Sequence, residues 1–253
     1  MRQRALGLYA AVVFAFLYGP LLVLIAFSFN ANRFTVWQGF SVRWYRAAMG
    51  DAQLSEGLVN SAIIALVASA IATVIGTLAA YGMWKKAAPL LSGAMYLSLV
   101  TPEIVTGVSL LAFYQIVFRV VRLHLGMASI IIAHVAFSIA YVAIVVSARL
   151  RNYDRSLEEA AMDLGATEWR AFFRVTLPAL APAIVAAGLL AMVVSFDDYV
   201  ITSLVAGVDS QTLPMVIYAM ARRGISPVVN AVSAVIVVAF GIVILISQRL
   251  QER

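Results

Sequence analysis

The sequence predicts an all-α polytopic membrane protein with six transmembrane helices, and three observations carry that prediction. Hydrophobic residues make up 63% of the 253 positions and charged residues 12%, and the mean hydropathy is +0.96, well beyond what one soluble core of this size requires. The charges are clustered, so that residues 4–30, 56–85, 86–119, 124–149, 174–197 and 223–249 each enclose an apolar run long enough to cross a bilayer. A hydrocarbon layer about 30 Å thick takes roughly 20 helical residues. The runs are apolar throughout rather than alternating, which argues against barrel strands, and lipid leaves the backbone of an open sheet unpartnered.

The first run follows Arg2 and Arg4, reaches Phe29 without a convincing small-x-small cleavage site and ends in Asn30-Ala31-Asn32, so a retained helix is expected in place of a signal peptide. Trp37, Trp44 and Tyr45 then suit the outer interface, and Tyr81 and Trp84 suit the inner one after the second run. The third run contains Pro102, where a helix break is expected, and the fifth is expected to continue past Asp197. With the N-terminus inside, Arg2, Arg4, Lys85, Lys86, Arg149, Arg151, Arg155, Arg170, Arg174, Arg249 and Arg253 fall on the cytoplasmic side. Only seven of the 18 basic residues then fall outside, which places both termini in the cytoplasm.

Several functions are argued against by what is missing. The chain has no cysteine and therefore no disulfide, thiolate metal site or iron–sulfur cluster, and no other metal site is expected. Its net charge of +6 needs no nucleic acid as partner; membrane lipid surrounds it. Lys85 and Lys86 are the only lysines and neither ends a G-x-x-x-x-G-K-[ST] loop, so no nucleotide cofactor is expected on this chain. No nucleophile–base constellation stands near the bilayer surface, which argues against a membrane enzyme.

Between the fourth and fifth runs the polar segment 152–177 reads as two short helices. Ser156 and Glu159 have capping-box spacing, Leu157, Ala160, Ala161 and Leu164 share one face, and Gly165 ends the helix. Thr167 is placed to cap a second helix, with Trp169, Phe172 and Phe173 on its bulky side before Pro178 opens the fifth span. On pattern alone the segment fits either a loop lying on the membrane surface or a helix seated in a partner's groove.

The spacing is more specific. Glu159-Ala160-Ala161, three residues, Gly165, nine residues and Val175-Thr176-Leu177-Pro178 resemble the E-A-A loop of ABC importer permeases, with Val175 in place of the usual isoleucine. The resemblance implies a type I ABC importer permease fold in the bacterial cytoplasmic (inner) membrane, with 152–177 as cytoplasmic coupling helices inside a single permease domain. It assigns Glu159, Ala160, Ala161, Gly165, Leu177 and Pro178 to docking on a separate ATPase that holds ATP and Mg. The expected partners are a homologous second permease, two ATPase subunits and an extracytoplasmic substrate-binding protein.

Three carboxylates lie within apolar runs: Glu103 in LVTPEIVTGV, and Asp197 and Asp198 in VVSFDDYVITSL. Exposing one to lipid costs about 2.5 to 3.5 kcal/mol, so each is expected to face protein or water. Counting at 1.5 Å per residue from Lys86 and from Arg174 gives rises of roughly 25 and 35 Å, which puts these acids in the outer half of the membrane. Neighbouring helical residues point about 100° apart, so the two aspartates cannot both face one pore. Acidic groups favour a cationic cargo, to which Phe196, Tyr199 and Tyr114 offer aromatic faces. A purely packing role for these residues stands beside that reading. His134 is expected to be a packed histidine bonded to a neighbouring helix, having no acid at helical spacing.

From about Lys86 onward, TPEIV, SFDDYVITSLVAG and GISPVVNA together with the E-A-A loop are similar to the second permease of spermidine/putrescine importers. That resemblance implies polyamine cargo and implicates Glu103, Asp197 and Asp198 in its passage. Two alternatives stay open from the sequence. One is an ABC permease for another solute, such as an amino acid derivative, an organophosphonate or ferric ion; the other is an ion-coupled secondary transporter using Glu103 and Asp197.

Overall fold

The computed structural model describes residues 2–33, 36–224 and 227–251. These form α1 (Arg2–Ser28), α2 (Arg43–Met49), α3 (Ala52–Lys85), α4 (Pro89–Val100), α5 (Glu103–Val121), α6 (Met127–Arg151), α7 (Ser156–Asp163) and α8 (Glu168–Ala171). A π-helical turn, Phe172–Thr176, leads into α9 (Leu177–Asp197), followed by α10 (Val200–Val205), α11 (Leu213–Arg222) and α12 (Pro227–Gln251). Among the described residues, six helical stretches are long and apolar enough to cross a membrane: Leu6–Ser28, Ala52–Lys85, Glu103–Val120, Met127–Arg151, Glu168–Asp197 and Pro227–Arg249.

The chain groups into two compact units, Met1–Glu56 with Val216–Gly241, and Gly57–Met215 with Ile242–Arg253. In the first, α1 exposes its apolar side chains along its length, as a lipid-facing or partner-facing helix does. The turn after it is built on Asn30. The amide nitrogen of Asn30 donates to Val36 O at 2.9 Å, its Oδ1 accepts from Gln38 N at 3.0 Å, and Trp44 Nε1 donates to Asn30 O at 2.8 Å. An isolated antiparallel bridge between Asn30 and Phe40 closes this turn. Trp44 and Tyr45, expected at the interface, therefore hold this connection together through Asn30 O and Ser28 Oγ.

In the second unit α6 packs along α9 and against α4, while α10 lies on α5 and α6. One core gathers Ile64, Tyr114, Phe118, Ile130, Phe137 and Ile201, and another gathers Val142, Val146, Leu150, Leu180, Ala187 and Ala191. The alanines of α9 permit the close helix approach that stabilises bundles in lipid. Gly76 serves the same end: a Cβ there would meet Val142 Cβ at 2.7 Å.

Two of the apolar runs are interrupted. The third splits at Thr101-Pro102, where Pro102 has no N–H to continue the helix, and Thr101 Oγ1 donates at 2.7 Å to Leu97 O, which also accepts the Thr101 N–H. The fifth run does not continue past Asp197 as one helix. Asp198 is extended at ψ 123°, and its carboxylate accepts the N–H groups of Ile201 at 3.4 Å and Thr202 at 2.7 Å, which starts α10 as a separate helix. At the other end, Pro178 cannot donate to the carbonyl of Arg174, and the chain widens into the π turn before α9.

Candidate functional site

Two places on the second unit combine unusual chemistry with defined geometry. The first is the polar segment between α6 and α9. Helix α7 starts at Ser156, but the oxygen that caps it belongs to Asp154, whose Oδ1 accepts from Ser156 N at 2.9 Å; the Ser156–Glu159 capping box does not form. That hydrogen bond holds the Asp154 carboxyl below the ordinary carboxylate range.

At its far end α7 closes in a Schellman motif. Gly165 N donates to Met162 O at 2.9 Å and Ala166 N donates to Ala161 O at 3.0 Å. Gly165 has φ +88°, a left-handed conformation that side chains with a Cβ adopt at a cost. Thr167 then caps α8, accepting from Arg170 N at 3.4 Å.

The orientation of α7 reverses the usual arrangement of an amphipathic helix. Leu157 is 52% and Leu164 89% exposed, with Glu159 and Ala160 also at the surface, whereas Glu158 is 1% exposed. Trp169 and Phe173 are exposed on the following turns, while Phe172 is buried against Tyr81, with ring centroids 4.4 Å apart. The segment therefore offers an apolar surface outward, and the acid that faces inward is the neighbour of the motif glutamate. Glu159, Ala160 and Gly165 are each exposed and Ala161 is half-buried; Leu177 and Pro178 lie in the first turn of α9.

Glu158 is satisfied from several sides. Lys85 Nζ lies 2.6 Å from its Oε1, Tyr81 OH donates to Oε1 at 2.6 Å, and Thr176 Oγ1 donates to Oε2 at 3.1 Å. Burial alone would raise this carboxyl's pKa. The three hydrogen bonds and the charge of Lys85 outweigh burial, and the group sits below its ordinary range. Arg155 adds a further tie, lying over the Trp84 ring and donating to the Trp84 carbonyl.

The second place is a pocket of about 400 Å³ lined by Glu103, Thr106, Phe137, Tyr141, Asp197, Asp198 and Tyr199 among others. Phe137 stands ten residues after the start of α6 and Tyr141 ten before its end, each about 15 Å from the nearer terminus, so these two lining residues sit near the middle of that helix.

Glu103 is the first residue of α5, where the helix dipole favours a negative charge, and Asp197 is the last residue of α9, where it does not. Among the described residues neither carboxylate has a side-chain hydrogen bond or ion pair. A bound cation would remove the cost at Asp197 and gain from the charge held at Glu103. Tyr199 lines the same pocket and Phe196 adjoins Asp197. Tyr114 is elsewhere: it is 1% exposed in the core, stacks on Phe118 and donates to Ser129 O at 3.0 Å.

Asp198 points inward from the same break. Besides the backbone of α10, its Oδ2 accepts from Thr202 Oγ1 at 2.7 Å and lies 3.4 Å from His134 Nε2. The other ring nitrogen of His134 is 2.7 Å from Ser195 Oγ. His134 is thus bonded to neighbouring elements as expected, but it does have an acidic neighbour, contributed from 64 positions along the chain. No spacing within α6 signals that pair. Of the stretch 224–231, Ile225 and Ser226 lie outside the described residues, as do Met1, Glu252 and Arg253 at the termini.

Comparison with known proteins agrees with these features. Residues 72–253 match the family described as "Binding-protein-dependent transport system inner membrane component". The chain is 41% identical to the putrescine transport system permease protein PotI of Escherichia coli (strain K12), over 95% of this chain and 88% of that one. It is 35% identical to the spermidine/putrescine transport system permease protein PotC of Haemophilus influenzae, over 96% and 94%. Its fold matches a chain of a bacterial ABC transporter involved in the import of the acidic polysaccharide alginate, with TM-score 0.71 at 16% identity, covering 98% of this chain and 97% of that one. A second structure of the alginate transporter, in complex with a periplasmic protein holding an alginate pentasaccharide, gives TM-score 0.75 at 15% identity, covering 98% and 93%. These matches set aside the ion-coupled alternative. The chain belongs to the family of inner membrane components of binding-protein-dependent transport systems, as a multi-pass permease subunit of an ABC importer whose ATP hydrolysis resides in separate subunits.

Proposed function

We propose that this permease carries polyamines, putrescine or spermidine, as one half of a pair with a homologous permease. The observation that carries the reading is the placement of Glu103 and Asp197 around one pocket, where among the described residues no cation pairs with either. At an effective dielectric of 20, opposite charges about 4 Å apart attract by roughly 4 kcal/mol, enough to select a cation without trapping it. Tyr141 and Tyr199 supply aromatic walls for the aliphatic part of such a cargo. Relatives named as putrescine and spermidine/putrescine permeases support the same cargo.

In this proposal both termini and the segment 152–177 are cytoplasmic. Two ATPase subunits, holding ATP and Mg, grip the exposed face of α7 and the α8 turn, and an extracytoplasmic binding protein delivers cargo from the other side. Closure of the ATPase pair moves the docking segment and switches the pocket between outward and inward access, with affinity for the cargo high in the first state and low in the second.

The test is uptake into proteoliposomes containing the complete transporter and its binding protein. Labelled spermidine or putrescine should accumulate with ATP inside, and unlabelled polyamine should compete while neutral amino acids do not. Uptake of a neutral or anionic solute in preference to polyamines would overturn the cargo assignment. Gly165→Arg should leave the protein inserted but release it from the ATPase.

A further inference from the structure

The cluster around Glu158 has features that docking on an ATPase does not require. The outward face of α7 is available to a partner without it, since Glu158 points the other way and is buried. Stability alone does not account for it either, because a buried ion pair replaced in both partners by well-packed apolar groups is often as stable or more so. What an ionic cluster adds is directional connection. Glu158 takes its donors from both neighbouring spans: Tyr81 and Lys85 on the last turns of α3, and Thr176 on the π turn that enters α9.

We propose that Glu158 is the positioning residue that ties the docking helix α7 to α3 and α9, so that a displacement of α7 by the ATPase is delivered to both spans together. The inference rests on the docking reading of the segment and adds the route by which movement leaves it. Coupling of this kind needs an element with a defined arrangement that both ends bias. A carboxylate held at 2.6 Å by Lys85 and by Tyr81 is such an arrangement, and an apolar contact, free to slide, is not.

The experiment uses the complete reconstituted transporter and reads two quantities: retention of the ATPase on the purified permease, and cargo moved per ATP hydrolysed. Glu158→Leu keeps the burial and removes the connection, and Glu158→Gln keeps the shape and removes the charge. Both should retain the ATPase, and cargo moved per ATP should fall by about tenfold, a usual size for a lost coupling interaction. Glu158→Asp should recover part of the loss, as should the exchange Glu158→Lys with Lys85→Glu. Wild-type cargo per ATP in Glu158→Leu would overturn the proposal. Loss of the ATPase from Glu158→Leu and Glu158→Gln alike would also overturn it, by showing that the residue only maintains the docking face. Failure of the docking reading is distinguishable, because Gly165→Arg would then keep its ATPase while the Glu158 variants still lowered cargo per ATP.

Discussion

Asp197 and Asp198 are adjacent in the chain but serve opposite surroundings: Asp197 ends α9 open to the pocket, and Asp198 turns inward to lie 3.4 Å from His134 Nε2. The division arises because the helix ends between them. Asp198 caps α10 and is thereby committed to the protein, which leaves Asp197 as the carboxylate available to a cargo.

Replacing the acids should therefore give two phenotypes. Glu103→Gln and Asp197→Asn should each lower polyamine uptake about tenfold, the loss of roughly 1.4 kcal/mol of attraction, with thermal stability nearly unchanged. Initial uptake rates and melting temperatures of the purified complex check this, and full uptake in both variants would remove the pair from the pathway.

Asp198→Ala should instead act through stability. It removes the cap of α10 and leaves His134 and Thr202 short of an acceptor, at a cost of about 2 kcal/mol. A lowered melting temperature in Asp198→Ala, larger than that of Asp197→Ala, is the expected result.

The Schellman turn makes its own prediction. Gly165→Ala adds a Cβ to open space but forces it into the left-handed region, costing about 1 kcal/mol. Partial loss of ATPase retention is expected for alanine, and a larger loss for Gly165→Arg, as read by co-purification.

Acidification should weaken the α3–α7 connection. The Glu158 carboxyl lies below its ordinary range in the folded protein, so the unfolded chain binds the proton first and the stabilisation is fully present above the unfolded value. It is lost as pH falls below about 4 and through the folded value. Melting temperature against pH should fall more steeply in the wild type than in Glu158→Gln across that window.

Much of this was legible in the sequence, for identifiable reasons. The spans follow from hydropathy, the break at Pro102 from a missing N–H, and the end of α7 from Gly165, all local properties. The inward face of α7 was not legible, because Leu157, Ala160 and Leu164 look like a core stripe until a partner is allowed for. Nor were the links of Glu158 to Tyr81 or of His134 to Asp198, which join positions more than sixty residues apart. The cap at Asp154 displaced the one expected at Ser156, since both residue types compete for the same N–H groups.

Sidedness of the α7–α8 segment tests the account most directly. The chain contains no cysteine, so a single cysteine at the exposed position Asp163 can be labelled in sealed, right-side-out cells without background. A membrane-impermeant maleimide should leave Asp163→Cys unmodified until the membrane is opened, and bound ATPase should then slow the reaction. Rapid labelling from the outside of intact cells would contradict the account, because no cytoplasmic ATPase could then grip α7.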